Sequence, residues 1–161
     1  MERSRIVSGI AHDLNCARFG LFDVPDQPGV AKILFKTLAQ NGINVDMVIQ
    51  STMRDNRNDI AFTIEKNDLE KALPVVEELV REICASDMSY SDDIAKVSIV
   101  GAGMQSNPGV AADMFEALAD ENINIHMIST SEIKVSCIID EDRIQDAVRV
   151  LHQKFHLDEE E

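Results

Sequence analysis

The sequence has no tryptophan, one tyrosine and six phenylalanines, so aromatic residues make up 4 % of its 161 positions. A chain this poor in rings offers no series of stacking platforms for single-stranded nucleic acid. Its core must come from Ile, Val, Leu, Met and Ala. Cations are scarce as well: 15 Lys and Arg stand against 29 Asp and Glu, a formal net charge of −14. Such a surface repels phosphate backbones and anionic head groups, which argues against nucleic acid and against membrane as partners. The three cysteines, Cys16, Cys84 and Cys137, are odd in number and far apart, with no CxxC. That pattern suits neither a disulfide framework nor a zinc site and fits a reducing compartment. Each cysteine reads as a small buried hydrophobe. No apolar run approaches the ~20 residues of a membrane span. Met1-Glu2-Arg3-Ser4-Arg5 is not followed by the apolar stretch of a signal peptide. The expectation is a soluble, cytoplasmic protein.

What the sequence does have is a globular balance, 45 % hydrophobic and 27 % charged, and an internal repeat. Pro28-Gly29-Val30-Ala31 returns 80 residues later as Pro108-Gly109-Val110-Ala111. At the same offset Phe35, Leu38, Ala39, Ile43, Asn44 and Met47 match Phe115, Leu118, Ala119, Ile123, Asn124 and Met127. Ten identities in the twenty positions from Pro28 to Met47 mark two copies of one module rather than one domain with one site.

Each copy reads alike. In the first, Cys16 to Val24 is strand-like and Asp26-Gln27-Pro28-Gly29 is a turn. Val30 to Gln40 carries apolar residues at helical spacing, and Asn41-Gly42 stops that helix. Asn44 to Ser51 alternates, with Val45, Met47 and Ile49 on one face, Asn44, Asp46 and Gln50 on the other, and Val48 the exception. Met53 to Asn58 is expected to be a polar hairpin loop and Ile60 to Ile64 a strand. Asn67 or Asp68 can cap a helix whose apolar face uses Leu69, Leu73, Val76, Leu79 and Val80, with Pro74 near its first turns. A weak strand follows near Ala85 to Tyr90. In the second copy, strands are expected over Ala95–Val100, Ile125–Ser129 and Ile133–Ile139, and helices over Pro108–Asp120 and Asp142–Phe155. The order β-α-β-β-α, with a further β in the first copy, is the split βαβ, ferredoxin-like arrangement. This predicts an α+β fold of antiparallel sheets with the helices on one face. The second copy ends in a helix and Asp158-Glu159-Glu160-Glu161, which cannot be a core strand. An extra strand-like segment, 5–13, is available to pair into it. The modules are therefore expected at 14–92 and at 93–161 with that strand.

Little in the sequence suggests catalysis. His152 and His156 stand four apart on an expected helix, without a third metal ligand. His12 reads as a surface residue. His126 replaces Asp46 in the repeat, on the polar face of the middle strand. Gly101-Ala102-Gly103 lacks the glycine at Ser106 that a dinucleotide fingerprint needs, and reads as a tight strand-to-helix turn. The repeated Pro-Gly turn says more. The first amides of the following helix, Gly29 to Ala31, lack intrahelical partners, and with the helix dipole they favour a carboxylate. Asp26 stands beside them and could hold an ammonium, while Asn44, Asp46 and Gln50 could read a side chain. A receptor of this kind suits an amino-acid zwitterion. The plainer alternative is that Asp26 only caps the helix. The second copy has Gln105-Ser106-Asn107 before its Pro-Gly, so the two turns are not equivalent.

On these residues the chain resembles a pair of ACT domains, the amino-acid-sensing modules. Four segments resemble the regulatory region of the aspartate kinase family: Val24 to Val30, Asn44 to Gln50, Val97 to Met104 and Ile123 to Lys134. Met127-Ile-Ser-Thr-Ser-Glu-Ile is the most specific among them. The likeness runs from about Ser8 to Leu157. That family phosphorylates the β-carboxylate of aspartate with ATP, and its kinase domain precedes the ACT pair. The family's early Lys-Phe-Gly-Gly stretch is absent here. The resemblance therefore implies the regulatory part, either a C-terminal region or a separate small beta subunit, with no catalytic residues and no cofactor or metal of its own. ATP and Mg belong to the kinase domain. Further implications are feedback inhibition by L-threonine, L-lysine or both, a homodimer through the ACT sheets, and association with the catalytic domain or alpha subunit. Carried over by motif, effector contacts fall on Asp26, Gln27, Pro28, Gly29, Val30 and Ala31, on Asn44, Val45 and Asp46, and on Gln50. Asn124 and Ile125 are implied opposite them, and Val110, Ala111, Ser131 and Glu132 in a second region. The rival reading is an ACT regulator of another biosynthetic enzyme or of transcription; the latter would need a basic DNA-binding segment that the chain lacks.

Overall fold

The computed structural model of the protein describes residues 6–52 and 55–157. Among them are eight strands, β1 (Val7–Asp13), β2 (Ala17–Pro25), β3 (Val45–Thr52), β4 (Arg57–Ile64), β5 (Asp87–Ser91), β6 (Ile94–Gly101), β7 (Met127–Thr130) and β8 (Lys134–Asp140). There are four α-helices, α1 (Val30–Gln40), α2 (Leu69–Glu82), α3 (Gly109–Asp120) and α4 (Ile144–Lys154). Of the expected hairpin loop, Met53 and Arg54 lie outside the described residues, as does the acidic tail from Asp158. Arg57 and Asn58 are not loop but the start of β4.

The chain divides into two compact units, Asn15–Asp92 and Met1–Leu14 with Asp93–Glu161. Each holds one four-stranded antiparallel sheet, in the orders β3-β4-β2-β5 and β7-β8-β6-β1. The two orders correspond strand for strand under the repeat, except at one edge. There the first module uses its own last strand, β5, and the second uses the N-terminal β1, paired antiparallel with β6 from Val7↔Gly101 to Asp13↔Lys96.

Helices cover one face of each sheet because alternate strand residues and one helix stripe share a core. In the first module Phe19, Leu21, Ile60, Phe62 and Ile64 meet Leu34 and Leu38 of α1 and Ala72, Val76 and Leu79 of α2. In the second, Val7, Val97, Ile99, Val135 and Ile139 meet Met114 and Leu118 of α3 and Ala147 and Leu151 of α4. Few aromatics does not mean none inside. Phe19 and Phe62 are fully buried and stack at 5.4 Å between centroids, with Phe35 edge-on to Phe62 at 5.9 Å. The expectation of a purely aliphatic core holds less well here.

All four helices end on a residue in the left-handed region: Gly42 (φ 71), Cys84 (φ 60), Asn122 (φ 57) and His156 (φ 58). After each, the next amide reaches back to the last turn, as in Ile43 N–H to Leu38 O at 3.0 Å and Ile123 N–H to Leu118 O at 2.9 Å. These are helix-terminating αL turns. The geometry removes His156 from the helix of His152, since α4 stops at Lys154. The i, i+4 pair expected on one helix face is therefore not formed. Two further starts differ from expectation. Asp68 precedes α2 without a side-chain capping bond, and one 3₁₀ turn, Lys66–Asp68, comes before it. α4 begins at Ile144 rather than Asp142, after the 3₁₀ turn Glu141–Arg143.

Candidate functional site

The first Pro-Gly turn lines a cavity of about 320 Å³ formed by Pro25, Asp26, Gln27, Pro28, Gly29, Val30, Ala31, Gln50, Asn58 and Ile60. Three local features build it. First, β2 carries a bulge between Leu21 and Val24, where Asp23 adopts φ 56. A non-glycine residue in that region needs compensating bonds. Asp23 has them: its N–H donates to Asp59 Oδ1 at 2.9 Å, Ser86 Oγ donates to its Oδ2 at 2.5 Å, and Arg57 Nη1 donates to its carbonyl at 3.0 Å. Second, Gly29 opens α1 with φ 94, a conformation at no cost only for glycine. The first i→i−4 bond is Ile33 N–H to Gly29 O at 3.0 Å, so the amides of Ala31 and Lys32 precede the helical ladder and present the positive end of its dipole. Third, β3 carries a bulge between Val45 and Val48.

That second bulge corrects the expected facing of β3. Val45 pairs with Ile64, Val48 with Phe62 and Gln50 with Ile60. Directly opposed residues share a face, so Val48 and Gln50 stand on the side of Ile60 and Phe62. The extra residue breaks the two-residue period. Gln50 thus reaches the cavity, while the exposed Asn44 and half-buried Val45 before the bulge and the exposed Asp46 within it do not line it.

Asp26 is no helix cap. The residue before α1 is Gly29, and there is no side-chain capping bond at the helix start. The Asp26 backbone N–H donates to Asn56 O at 2.7 Å, and Asn58 Nδ2 donates to its Oδ1 at 3.4 Å. Asn58 is 4 % exposed, and its Oδ1 is buried without a hydrogen-bond partner. The sequence reading missed it. Asn58 falls at the end of the expected hairpin loop, and its place beside Val24 and Thr52 depends on both bulges.

The second module has a corresponding cavity of about 420 Å³, lined by Met104, Asn107, Pro108, Val110, Ala111, Thr130, Ser131, Glu132 and Val135. Here a 3₁₀ turn, Met104–Ser106, follows Gly103 (φ 74). Asn107 Nδ2 donates to Gly103 O at 2.9 Å and Met104 N–H to Glu132 O at 3.2 Å. Val110, Ala111, Ser131 and Glu132 are thereby brought together. Pro108, the repeat of Pro28, joins them and could have been found from the repeat. The acidic group enters from the β7–β8 hairpin rather than from the strand-to-helix turn. Asn124 and Ile125 precede β7, the first exposed and the second packed on the module's core, and neither lines this cavity. His126 also lies before β7, not within it. Its N–H donates to Ile138 O at 2.8 Å, and its Nε2 is 2.7 Å from Asp140 Oδ1. Among the described residues no group of three His, Cys, Asp or Glu is placed to hold a metal, and no helix is long and apolar enough to cross a membrane.

The ACT domain family model matches residues 23–79 and 97–155, one match per module. The aspartate kinase of Pseudomonas putida is 50 % identical over 153 residues, which cover 95 % of this chain and 37 % of the relative. The chain thus spans less than two fifths of the length of that protein. Among solved structures, the ligand-free regulatory subunit of aspartate kinase from Thermus thermophilus is 45 % identical with a TM-score of 0.87, the match covering 93 % of this chain and 99 % of that one. A chain from a structure of aspartokinase alpha and beta subunits gives 46 % identity and the same TM-score, over 93 % and 99 %. With one family match on each module and a subunit of like extent superposing along its length, the chain belongs to the ACT domain family, as a tandem pair of the aspartokinase regulatory type.

Proposed function

We propose that this chain is the effector-sensing part of an aspartate kinase and that it mediates feedback inhibition by L-threonine, L-lysine or both. The observation that carries the reading is the first cavity. It combines the amino end of α1, which favours a carboxylate, with the Asp26 carboxylate, which suits an ammonium. Val30, Pro28 and Ile60 supply an apolar lining. An α-amino acid carries a carboxylate, an ammonium and a side chain to meet those three features. The second cavity, with Glu132 in place of the turn aspartate, takes the second effector position. Asn124 and Ile125 remain proposed effector contacts.

The phosphoryl-transfer chemistry, with ATP and Mg, belongs to the kinase domain or alpha subunit with which this chain would assemble in the cytoplasm. Effector binding would favour one arrangement of the ACT pair and bias the kinase towards its inactive state. The bias is set by the difference in affinity between the two states, about 1–3 kcal/mol of coupling. The homodimer would form at sheet edges: β3 and β7 each end their sheet, and the repeat-equivalent Val48 and Ile128 are 49 % and 42 % exposed there. Side-by-side pairing would cover both.

Calorimetric titration with L-threonine, L-lysine and their mixture tests the reading. Saturable binding by the wild type is expected. Asp26→Ala, which removes a charge-assisted bond of about 1.5–3 kcal/mol, should weaken it roughly 10- to 150-fold. Equal affinity in that variant would place the ammonium elsewhere, and no binding of any amino acid would refute the effector reading.

A further inference from the structure

We infer that Asp23 is a positioning residue of the first cavity: from outside the lining, its side chain ties the β2 bulge to the α2–β5 connection and fixes where Asp26 stands against β4. The inference rests on the effector reading above and deepens it. Asp23 does not itself line the cavity. Phe22 and Asp23 together oppose Asp59, because Leu21 pairs with Ile60 and Val24 with Asn58. Were the extra residue absorbed, Phe22 would pair with Asp59 and Asp23 with Asn58. Val24, Pro25 and Asp26 would then slide one residue along β4, about 3.3 Å, and present their opposite faces. Val24, fully buried in the first core, would leave it. The Asp26 N–H would lose its bond to Asn56 O at 2.7 Å. The place of the Asp26 carboxylate is therefore set upstream, at the bulge.

Glycine would meet φ 56 with the least strain, so backbone conformation does not account for an aspartate there. Its bonds do. Asp59 Oδ1 accepts the Asp23 N–H and Arg57 Nη1 donates to the Asp23 carbonyl. The bulge is thus fastened to the residues on either side of Asn58, which lines the cavity. Both of those bonds use the Asp23 backbone. The carboxylate adds a third anchor: Oδ2 accepts from Ser86 Oγ at 2.5 Å and lies 3.7 Å from Arg57 Nη1. The Ser86 N–H in turn donates to Phe22 O at 2.9 Å. Both bulge residues are thereby held from the β4 side and from the α2–β5 connection. A turn fixed in this way loses less freedom when a ligand orders it, and so binds more tightly.

The test is calorimetry on the full chain with L-threonine and L-lysine, using wild type, Asp23→Gly, Asp23→Asn, Ser86→Ala and the double variant Asp23→Gly/Ser86→Ala. Glycine keeps the backbone conformation and removes the carboxylate. It should weaken whichever amino acid binds roughly 5- to 10-fold. Asparagine tolerates the left-handed region and offers Ser86 Oγ an amide oxygen, so it should stay within about 2-fold of wild type. Ser86→Ala should match Asp23→Gly, and the double variant should bind no more weakly than either. Hydrogen exchange without ligand gives a second reading. The Asp26 amide should lose protection ~5-fold or more in the glycine and alanine variants and keep it with asparagine, while the Ile33 amide of α1 is unchanged. A general loss of stability would lower both amides together. Undiminished binding by Asp23→Gly, equal weakening by glycine and asparagine, or additive losses in the double variant would overturn the inference and leave the effector reading standing. A wild type that binds neither amino acid would remove the effector reading instead. The placement of Asp26 by Asp23 would then be supported by lost Asp26 protection in Asp23→Gly and overturned by unchanged exchange.

Discussion

Replacing Gly101 with alanine should loosen the second module specifically at its N-terminal strand. Gly101 is the last residue of β6 and is paired with Val7. A Cβ built on it would overlap the Ile6 carbonyl oxygen and lie 2.8 Å from the Ile6 carbonyl carbon and 3.1 Å from Val7 Cα. These are backbone atoms, so no side-chain rotation relieves the contact. Either β6 or the start of β1 must move. β6 is fixed on its other side by seven paired positions with β8, so the displaced segment is β1 around Val7. Val7 is 1 % exposed within the second core. Withdrawing a valine from such a site costs about 1.5–3 kcal/mol, and one or two strand hydrogen bonds add about 1 kcal/mol each. The expected loss is roughly 2.5–5 kcal/mol, or about a 1.2–2.5 M fall in urea midpoint for a slope near 2 kcal/mol/M. Hydrogen exchange should localise the effect: amides of β1 and β6 lose protection while β2 and β4 keep theirs. A change below about 0.5 kcal/mol, or loss of protection in the first module instead, would refute the assignment of β1 to the second core.

Other outcomes follow from single residues. Gly29→Ala meets no atom within 4 Å but must keep φ 94. It should cost about 1–2 kcal/mol through backbone strain alone and weaken effector binding, read by denaturant melts and calorimetry; an unchanged melt would mean the turn relaxes freely. Burial pushes the Cys137 thiol from 9.0 up to about 12, so a thiol reagent at pH 8 should label exposed Cys84 rapidly and Cys137 only on unfolding. With the folded value above the unfolded one, that contribution to stability is intact below about pH 9 and lost as pH rises towards 12. Hydrogen bonds from Arg149 and then Arg143 lower the Asp146 pKa below its ordinary 3.8. Its stabilisation is therefore present above about pH 4 and lost as pH falls through the lowered value. Asp146→Asn should flatten the acid limb of the stability curve below pH 4, and an unaltered limb would show the pair contributes nothing.

Much of this was legible because repetition doubles the signal. Helix α1 matched its expected span, Val30–Gln40, since a 3.6-residue apolar spacing between a Pro-Gly turn and Asn41-Gly42 leaves little freedom. Asp26, Gln27, Pro28, Gly29, Val30 and Ala31 line one cavity as a local turn must, and Val110, Ala111, Ser131 and Glu132 line the other. Asn44 and Asp46 were placed with Gln50 by strict alternation, and a bulge defeats alternation without leaving a mark in composition. Asn58 was missed for the same reason, and His156 left the α4 helix because a left-handed turn can be made by histidine as well as glycine.

The sequence by itself determined the module, its duplication, the span of α1 and the chemistry of the Pro-Gly turn. Each of these depends on residues within about a dozen positions of one another, where spacing and turn preference act directly. The sequence also points to the N-terminal strand as a member of the second module. Only the tertiary structure decided its partner and register, β1 against β6 at the sheet edge, and that two bulges bring Asp26, Gln50 and Asn58 to one cavity. Those outcomes depend on strand register across separations of up to 94 residues, as between Val7 and Gly101. Register is set by which buried faces must coincide, and no local pattern encodes that.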